Sequence, residues 1–74
     1  MARVLHLLKG DDPSLALAVI AQQQAAGDDV TVALLPGAPT PALPPGVPPH
    51  RVPDHLSWDA LLESIFAADQ VITW

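Results

Sequence analysis

The sequence contains no cysteine, few basic residues and only three aromatic residues. Without cysteine the chain has no disulfide, no thiolate nucleophile and no cysteine-ligated zinc site. Three Lys and Arg residues stand against eight Asp and Glu residues, which gives a formal net charge of −5. This charge opposes contact with phosphate backbones and anionic membrane surfaces. We therefore expect no nucleic acid and no membrane among the partners.

Charge of either sign is scarce for a chain so rich in apolar residues. Apolar residues make up 50% of the 74 residues and charged residues 15%, whereas the usual charged fraction is about 25%. A chain of this length is predicted to form one small domain over residues 1–74, which is marginally stable alone. The longest apolar run is far shorter than the roughly 20 residues that span a bilayer. We expect a soluble cytoplasmic subunit of an oligomer, without a signal peptide.

The N-terminal residues predict a strand followed by a helix. Val4–Leu8 is apolar on both faces apart from His6, as in the central strand of a parallel sheet. Asp12 is predicted to cap a helix over about Pro13–Ala26, with Pro13 in its first position and Gly27 as a left-handed stop.

The first turns of this helix read SLALAVIA and are apolar on every side. An ordinary surface helix has a polar stripe opposite the core. We therefore expect Leu17, Val19 and their neighbours to be covered by something other than the sheet; alternatively, the small alanines merely dilute the pattern. Leu17, Val19, Ile20 and Trp74 are the predicted interface residues, and tryptophan is enriched at binding hot spots.

A second strand and a proline-rich loop follow. VTVALLPG is typical of a β-strand, and the loop at about 36–53 contains eight of the nine prolines. Proline fixes φ and removes an amide donor, so the loop is predicted to be an extended coil, with a short edge strand around His50–Val52. Its PxxP spacings leave open a second interpretation, a ligand for an SH3-type groove.

The C-terminal part predicts an amphipathic helix and a last strand. Ser57 is a candidate cap, and apolar residues recur at helical spacing, with Trp58 assigned to the core. VITW is the predicted last strand. The expected architecture is a small three-layer α/β sandwich with a three- or four-stranded, mostly parallel sheet and a helix on each face.

One weak ligand site is predicted in the turn KGDDP, which contains Lys9, Gly10, Asp11 and Asp12. A phosphate-binding turn needs several glycines and an open helix N-terminus. This turn has one glycine and two carboxylates that repel phosphate, so nucleotide binding is disfavoured. If the chain reverses direction beside the first strand, a crevice for a small anion or metabolite is expected here.

The histidines predict neither catalysis nor metal binding. His6 is interpreted as a neutral imidazole hydrogen-bonded in the core. His50, Asp54 and His55 have no helical ligand spacing and are interpreted as solvated loop residues, in preference to a metal or acid–base cluster. We predict no catalytic residue, no metal and no cofactor.

The order of these segments resembles a known family. VLHLLKG, GDDVTVALL and SWDALLESIFAADQVITW together are similar to the small sulfur-relay proteins of the DsrE/DsrF/DsrH type. The resemblance implies an α/β sheet and homo- or hetero-oligomers of related subunits. Active members carry a cysteine that passes a persulfide, and no position here matches it.

The expected function is a non-catalytic, oligomeric interaction subunit related to sulfur-relay complexes but unable to carry a persulfide. The alternative is a small anion- or metabolite-binding α/β protein that uses the crevice after the first strand.

Overall fold

The fold is a parallel sheet with helices packed on it. A computed structural model describes residues 2–9 and 13–74. These residues form β1 (Arg3–Leu8), α1 (Ser14–Ala25), β2 (Asp29–Leu34), β3 (Pro49–Arg51), α2 (Trp58–Ala67) and β4 (Gln70–Thr73). The strands lie in the order β3-β2-β1-β4, and every neighbouring pair is parallel. The predicted α/β fold with an internal first strand is confirmed, and the sheet is wholly rather than mostly parallel.

The two faces of β1 enter different cores, as the alternation of side chains along a strand requires. Leu8 belongs to the core under α1, and Leu5 and Leu7 belong to the core under α2. The buried members of the α1 core are Leu8, Ala16, Ile20, Val30, Val32, Leu34, Ala38 and Val47. The buried members of the α2 core are Leu5, Ala33, Val52 and Leu61.

The ends of α1 partly follow the sequence prediction. Gly27 has a φ of 89° just beyond the helix, which confirms the left-handed stop. Pro13, however, occupies the N-cap position, without a side-chain cap, so the helix begins at Ser14. The predicted cap, Asp12, was therefore one position too early, and its own side chain lies outside the described residues.

The proline-rich segment, residues 36–53, folds back onto the α1 core. Ala38 and Val47 are buried in that core, and Leu43 packs against it. The Gln24 side-chain amide donates a hydrogen bond to the Pro45 carbonyl. Part of the cover that the apolar α1 helix was predicted to need thus comes from the chain itself. The segment ends in β3, which confirms the short edge strand.

Helix α2 begins where predicted but packs differently. The Ser57 hydroxyl accepts a hydrogen bond from the Ala60 N–H at 3.1 Å, which confirms the cap. Leu61 is buried and Ile65 packs against the α2 core. Trp58, assigned to the core from sequence, is 54% exposed. That assignment was wrong, because the helix turns this flank away from the sheet.

Three aspartates hold the amino end of β1. Asp69 donates its N–H to the Arg3 carbonyl, and its carboxylate accepts the Arg3 N–H, both at 2.8 Å. On the other side the Asp29 N–H donates to the Ala2 carbonyl at 2.8 Å, and the Asp28 carboxylate accepts the Ala2 N–H at 3.2 Å. The central strand is therefore fixed to β2 and β4 before the ladders begin.

Candidate functional site

The chain reverses direction beside β1, which creates the predicted switch point. β2 lies on one side of β1 and β4 on the other, so the carboxyl ends of β1 and β4 lie side by side at the point where the strand order reverses. Ligands of open α/β sheets bind at such a point. Lys9 is exposed there. The other three predicted ligand residues, Gly10, Asp11 and Asp12, lie outside the described residues.

Below the switch point, three hydrogen-bonded polar side chains form a network across the α1 core. His6 is completely buried. Its Nδ1 accepts a hydrogen bond from Trp74 Nε1 at 2.9 Å, and its Nε2 lies 2.6 Å from Gln23 Oε1. The Trp74 indole can only donate, so Nδ1 carries no proton and Nε2 donates to Gln23. The hydrogen bonds thus assign the neutral imidazole with its proton on Nε2.

This network gives His6 a structural role. The His6 and Trp74 rings are nearly parallel, with centroids 6.1 Å apart and an interplanar angle of 11°. Both ring nitrogens are used inside the chain, which leaves neither free for a metal ion or for proton transfer to a substrate. The histidine on β1 therefore anchors Trp74, at the end of β4, to α1.

The remaining titratable residues do not form a recognisable reaction centre. His50 is half-buried in β3, and Asp54 and His55 are exposed in the turns after it. Within residues 2–9 and 13–74, no group of three His, Asp or Glu side chains is placed to hold a metal ion. Over the same part of the chain, no helix is long and apolar enough to cross a membrane.

A small cleft lies at the opposite end of the sheet from the switch point. Its volume is about 120 Å³, well below the roughly 300–1,000 Å³ of typical small-molecule sites. It lies between the amino ends of β1 and β2 and the last turns of α2. Its lining residues are Arg3, Val4, Leu5, Asp29, Thr31, Ser64, Ala67 and Ala68. Because Ser64 and Ala67 line this cleft together with residues of β2, their flank of α2 lies beside β2.

The predicted interface residues occupy different environments. Ile20 is completely buried in the α1 core and is therefore not at the surface of the single chain. Leu17 and Val19 are half-buried. Trp74 is half-buried, and its indole is engaged by His6. On α1 the most exposed large apolar side chain is Leu15, at 66%.

The most prominent exposed apolar surface lies on α2 and β4. Phe66 is 80% exposed, Trp58 54%, Leu62 52% and Val71 38%. We call these four residues the α2–β4 surface. Trp58, Leu62 and Phe66 recur every four residues and share one flank of the helix. Contiguous apolar side chains at the surface of a small protein mark interaction sites.

The position of Ser64 shows that this flank lies on the β4 side. Ser64 lines the small cleft with Asp29 and Thr31 of β2. Leu62 and Phe66 are each two residues away from Ser64 along the helix. Each residue turns the helix by about 100°, so both side chains are rotated by about 200° around the helix axis from that of Ser64. They therefore lie on the side of α2 away from β2, which is the β4 side of the sheet.

Comparison with protein-family models, curated proteins and solved structures gives no match to this chain.

Sequence reasoning assigned Trp58 to the core and did not single out Leu62, Phe66 or Val71 as interface residues. The available signal was the width of the apolar arc on α2. Five large apolar residues, Trp58, Leu61, Leu62, Ile65 and Phe66, occur within nine positions. Such an arc is wider than the contact that one helix makes with a sheet, so part of it remains uncovered.

Proposed function

We propose that this protein is a non-catalytic interaction subunit that self-associates through the α2–β4 surface. The observation that carries the proposal is the position of that surface. Phe66 and Leu62, 80% and 52% exposed, lie on the flank of α2 that faces away from β2 and towards the β4 side of the sheet. The exposed residues Asp59 and Glu63 lie beside it on α2 and give the apolar surface a charged rim.

The internal arrangement of the polar groups supports a binding role rather than a catalytic one. His6 uses both ring nitrogens within the chain. In the described residues, every buried side-chain nitrogen and oxygen has a hydrogen-bond partner. A general base must reach the proton that it abstracts, and a buried, fully bonded imidazole does not.

The resemblance to DsrE/DsrF/DsrH-type sulfur-relay proteins extends this proposal. The chain contains no cysteine, so it is proposed as an accessory subunit of such complexes, in the cytoplasm, rather than as a persulfide carrier. The partners are further copies of this chain or related subunits, and no cofactor is part of the proposal.

The first experiment is the solution mass of the purified chain, measured by light scattering across a dilution series. We expect a dimer or larger assembly that dissociates on dilution. The variant Phe66→Asp should raise the dissociation constant roughly 100-fold, because each copy loses a buried aromatic ring worth about 1.5–3 kcal/mol. Leu15→Asp is the matched control, since it adds the same charge to the exposed flank of α1.

A monomeric wild-type chain at every concentration would refute self-association. So would a Leu15→Asp variant that dissociates as readily as Phe66→Asp, because the added charge alone would then explain the effect.

The alternative function is the binding of a small anion at the switch point. The adjacency of β1 and β4 favours it, because this adjacency places Lys9 where open α/β sheets bind ligands. Lys9→Ala should abolish binding of an anion such as inorganic phosphate, measured by calorimetry, and leave the solution mass unchanged. If the wild-type chain binds no phosphate at millimolar concentration, phosphate binding at the switch point is refuted.

A further inference from the structure

We propose that two copies of this chain join by antiparallel pairing of β4 with β4, with Ile72 of one copy facing Ile72 of the other. The proposal rests on the self-association proposed above and specifies its mode. It joins two four-stranded sheets into one continuous sheet.

The backbone of β4 has one side free. The Trp74 N–H donates to the Leu7 carbonyl of β1 at 2.9 Å, and Ile72 is paired with His6. Because the direction of backbone groups alternates along a strand, Ile72 also faces β1, whereas Val71 and Thr73 direct their N–H and C=O groups outwards. In the sheet of the described residues, no strand lies beyond β4. These outward groups are a template for another strand.

The free edge is suited to a second copy of itself. Residues 70–74 contain no charged residue and no proline, although the chain has a net charge of −5. Two copies of an acidic chain repel one another least where they meet through a neutral segment. Antiparallel pairing also tolerates identical strands, because a two-fold axis brings the same surface of each copy together.

The register follows from the outward groups. With Ile72 on the two-fold axis, Val71 of each copy lies opposite Thr73 of the other. In an antiparallel ladder such a pair exchanges both N–H···O bonds. Every outward backbone group of Val71 and Thr73 is then satisfied by the second copy.

The side chains of the α2–β4 surface fit the same arrangement. Val71 is paired with Leu5, a member of the α2 core, so its side chain points to the α2 face. A two-fold axis perpendicular to the sheet keeps the two α2 helices on one face. Leu62 and Phe66, which lie on the β4 side of α2, then face the same flank of the second copy. Strand pairing and apolar burial therefore use one continuous surface.

Cysteine substitution tests the register directly, because the natural chain has no cysteine. The variants Val71→Cys and Thr73→Cys are prepared separately, mixed and oxidised. Cα atoms of a hydrogen-bonded antiparallel pair are about 5.5 Å apart, within the roughly 4.4–6.8 Å range of disulfides. Mass spectrometry should show a mixed disulfide that forms about tenfold faster than either homodisulfide.

Each variant alone is the matched control. Two copies of position 71, or two of position 73, are offset by two residues along the strands, or about 7 Å, in addition to the separation between strands. Their Cα atoms are therefore too far apart for a disulfide without movement of the backbone.

The possible failures are distinguishable. If light scattering shows a dimer but Val71→Cys alone forms its disulfide as fast as the mixture, this pairing is wrong and self-association stands. The same holds if neither the mixture nor the single variants form a disulfide in a dimer. If the chain is a monomer throughout, the pairing and the self-association both fail.

Discussion

The two edges of the sheet are built differently. At the β3 edge, Pro49 is the first residue of the strand and Pro48 comes directly before it. The Val52 N–H donates inwards to the Leu34 carbonyl at 2.9 Å, so the alternation turns Pro49 and Arg51 outwards. Pro49 has no N–H to offer there, and the Arg51 side chain is charged. The β4 edge has neither a proline nor a charge.

The difference shows how one chain protects one edge and leaves the other available for pairing. Prolines and charged side chains are the usual means by which natural sheets block edge-to-edge association. The Arg51 guanidinium also donates to the Ala38 carbonyl at 2.8 Å and to the Thr40 hydroxyl at 2.9 Å, which ties the proline-rich segment to β3. The absence of such devices at β4 agrees with its proposed role as an interface.

The largest effect on self-association is expected from a proline in β4, at a position that corresponds to Pro49 in β3. Val71→Pro removes an outward N–H and adds a ring at the proposed seam, while the inward bonds of Ile72 and Trp74 are kept. We expect the dissociation constant to rise roughly 100-fold or more, measured by light scattering, because two hydrogen bonds and close packing are lost per dimer. Val71→Thr, which keeps the N–H, is the control.

The converse change is Pro49→Thr, which restores an outward N–H at the β3 edge. Because Arg51 remains, we expect this variant to keep the mass of the natural chain. If Val71→Pro assembles as the natural chain does, β4 is not the interface.

A smaller effect is expected when the hydrogen bond from Trp74 to His6, which anchors the end of β4, is removed. Trp74→Phe keeps an aromatic ring but removes the N–H that donates to the buried Nδ1 of His6. An unpaired buried nitrogen should lower the free energy of unfolding by about 1–3 kcal/mol, measured by urea denaturation at protein concentrations where the chain is monomeric.

Trp58→Phe is the matched control for Trp74→Phe, because Trp58 is exposed. The free energy of unfolding of the monomer should change by less than about 0.5 kcal/mol. Equal destabilisation by the two substitutions would contradict the role assigned to the His6 network.

The smallest effect is expected at the amino end of β4. Asp69→Ala removes the carboxylate that accepts the Arg3 N–H at 2.8 Å. Because this bond is exposed, we expect a loss of about 0.5–1.5 kcal/mol in urea denaturation. Asp54→Ala removes the same charge from an exposed turn and should have less effect; an equal loss would mean that net charge, rather than the hydrogen bond, is responsible.

Local sequence rules were sufficient for most of the fold. The apolar run around His6, the stop at Gly27 and the cap at Ser57 each depend on interactions within a few residues, and the structure confirms all three. The edge position of β3 followed from the chemistry of proline.

The surface was harder to predict, because it depends on which elements become neighbours. Helical spacing grouped Trp58, Leu62 and Phe66 with the core residues of α2, but that flank faces away from β2 and is exposed. The partners of His6 likewise come from distant parts of the chain, at Gln23 and Trp74. Period and capping rules contain no information on such long-range contacts.

The most direct measurement is amide hydrogen exchange at Val71 and Arg51, followed by NMR as the protein concentration is raised. Both amides are directed outwards, one at each edge of the sheet. We expect exchange at Val71 to slow in parallel with the increase in solution mass, whereas exchange at Arg51 should not change. Exchange at Val71 that stays as fast as at Arg51 in the assembled protein would contradict β4 pairing.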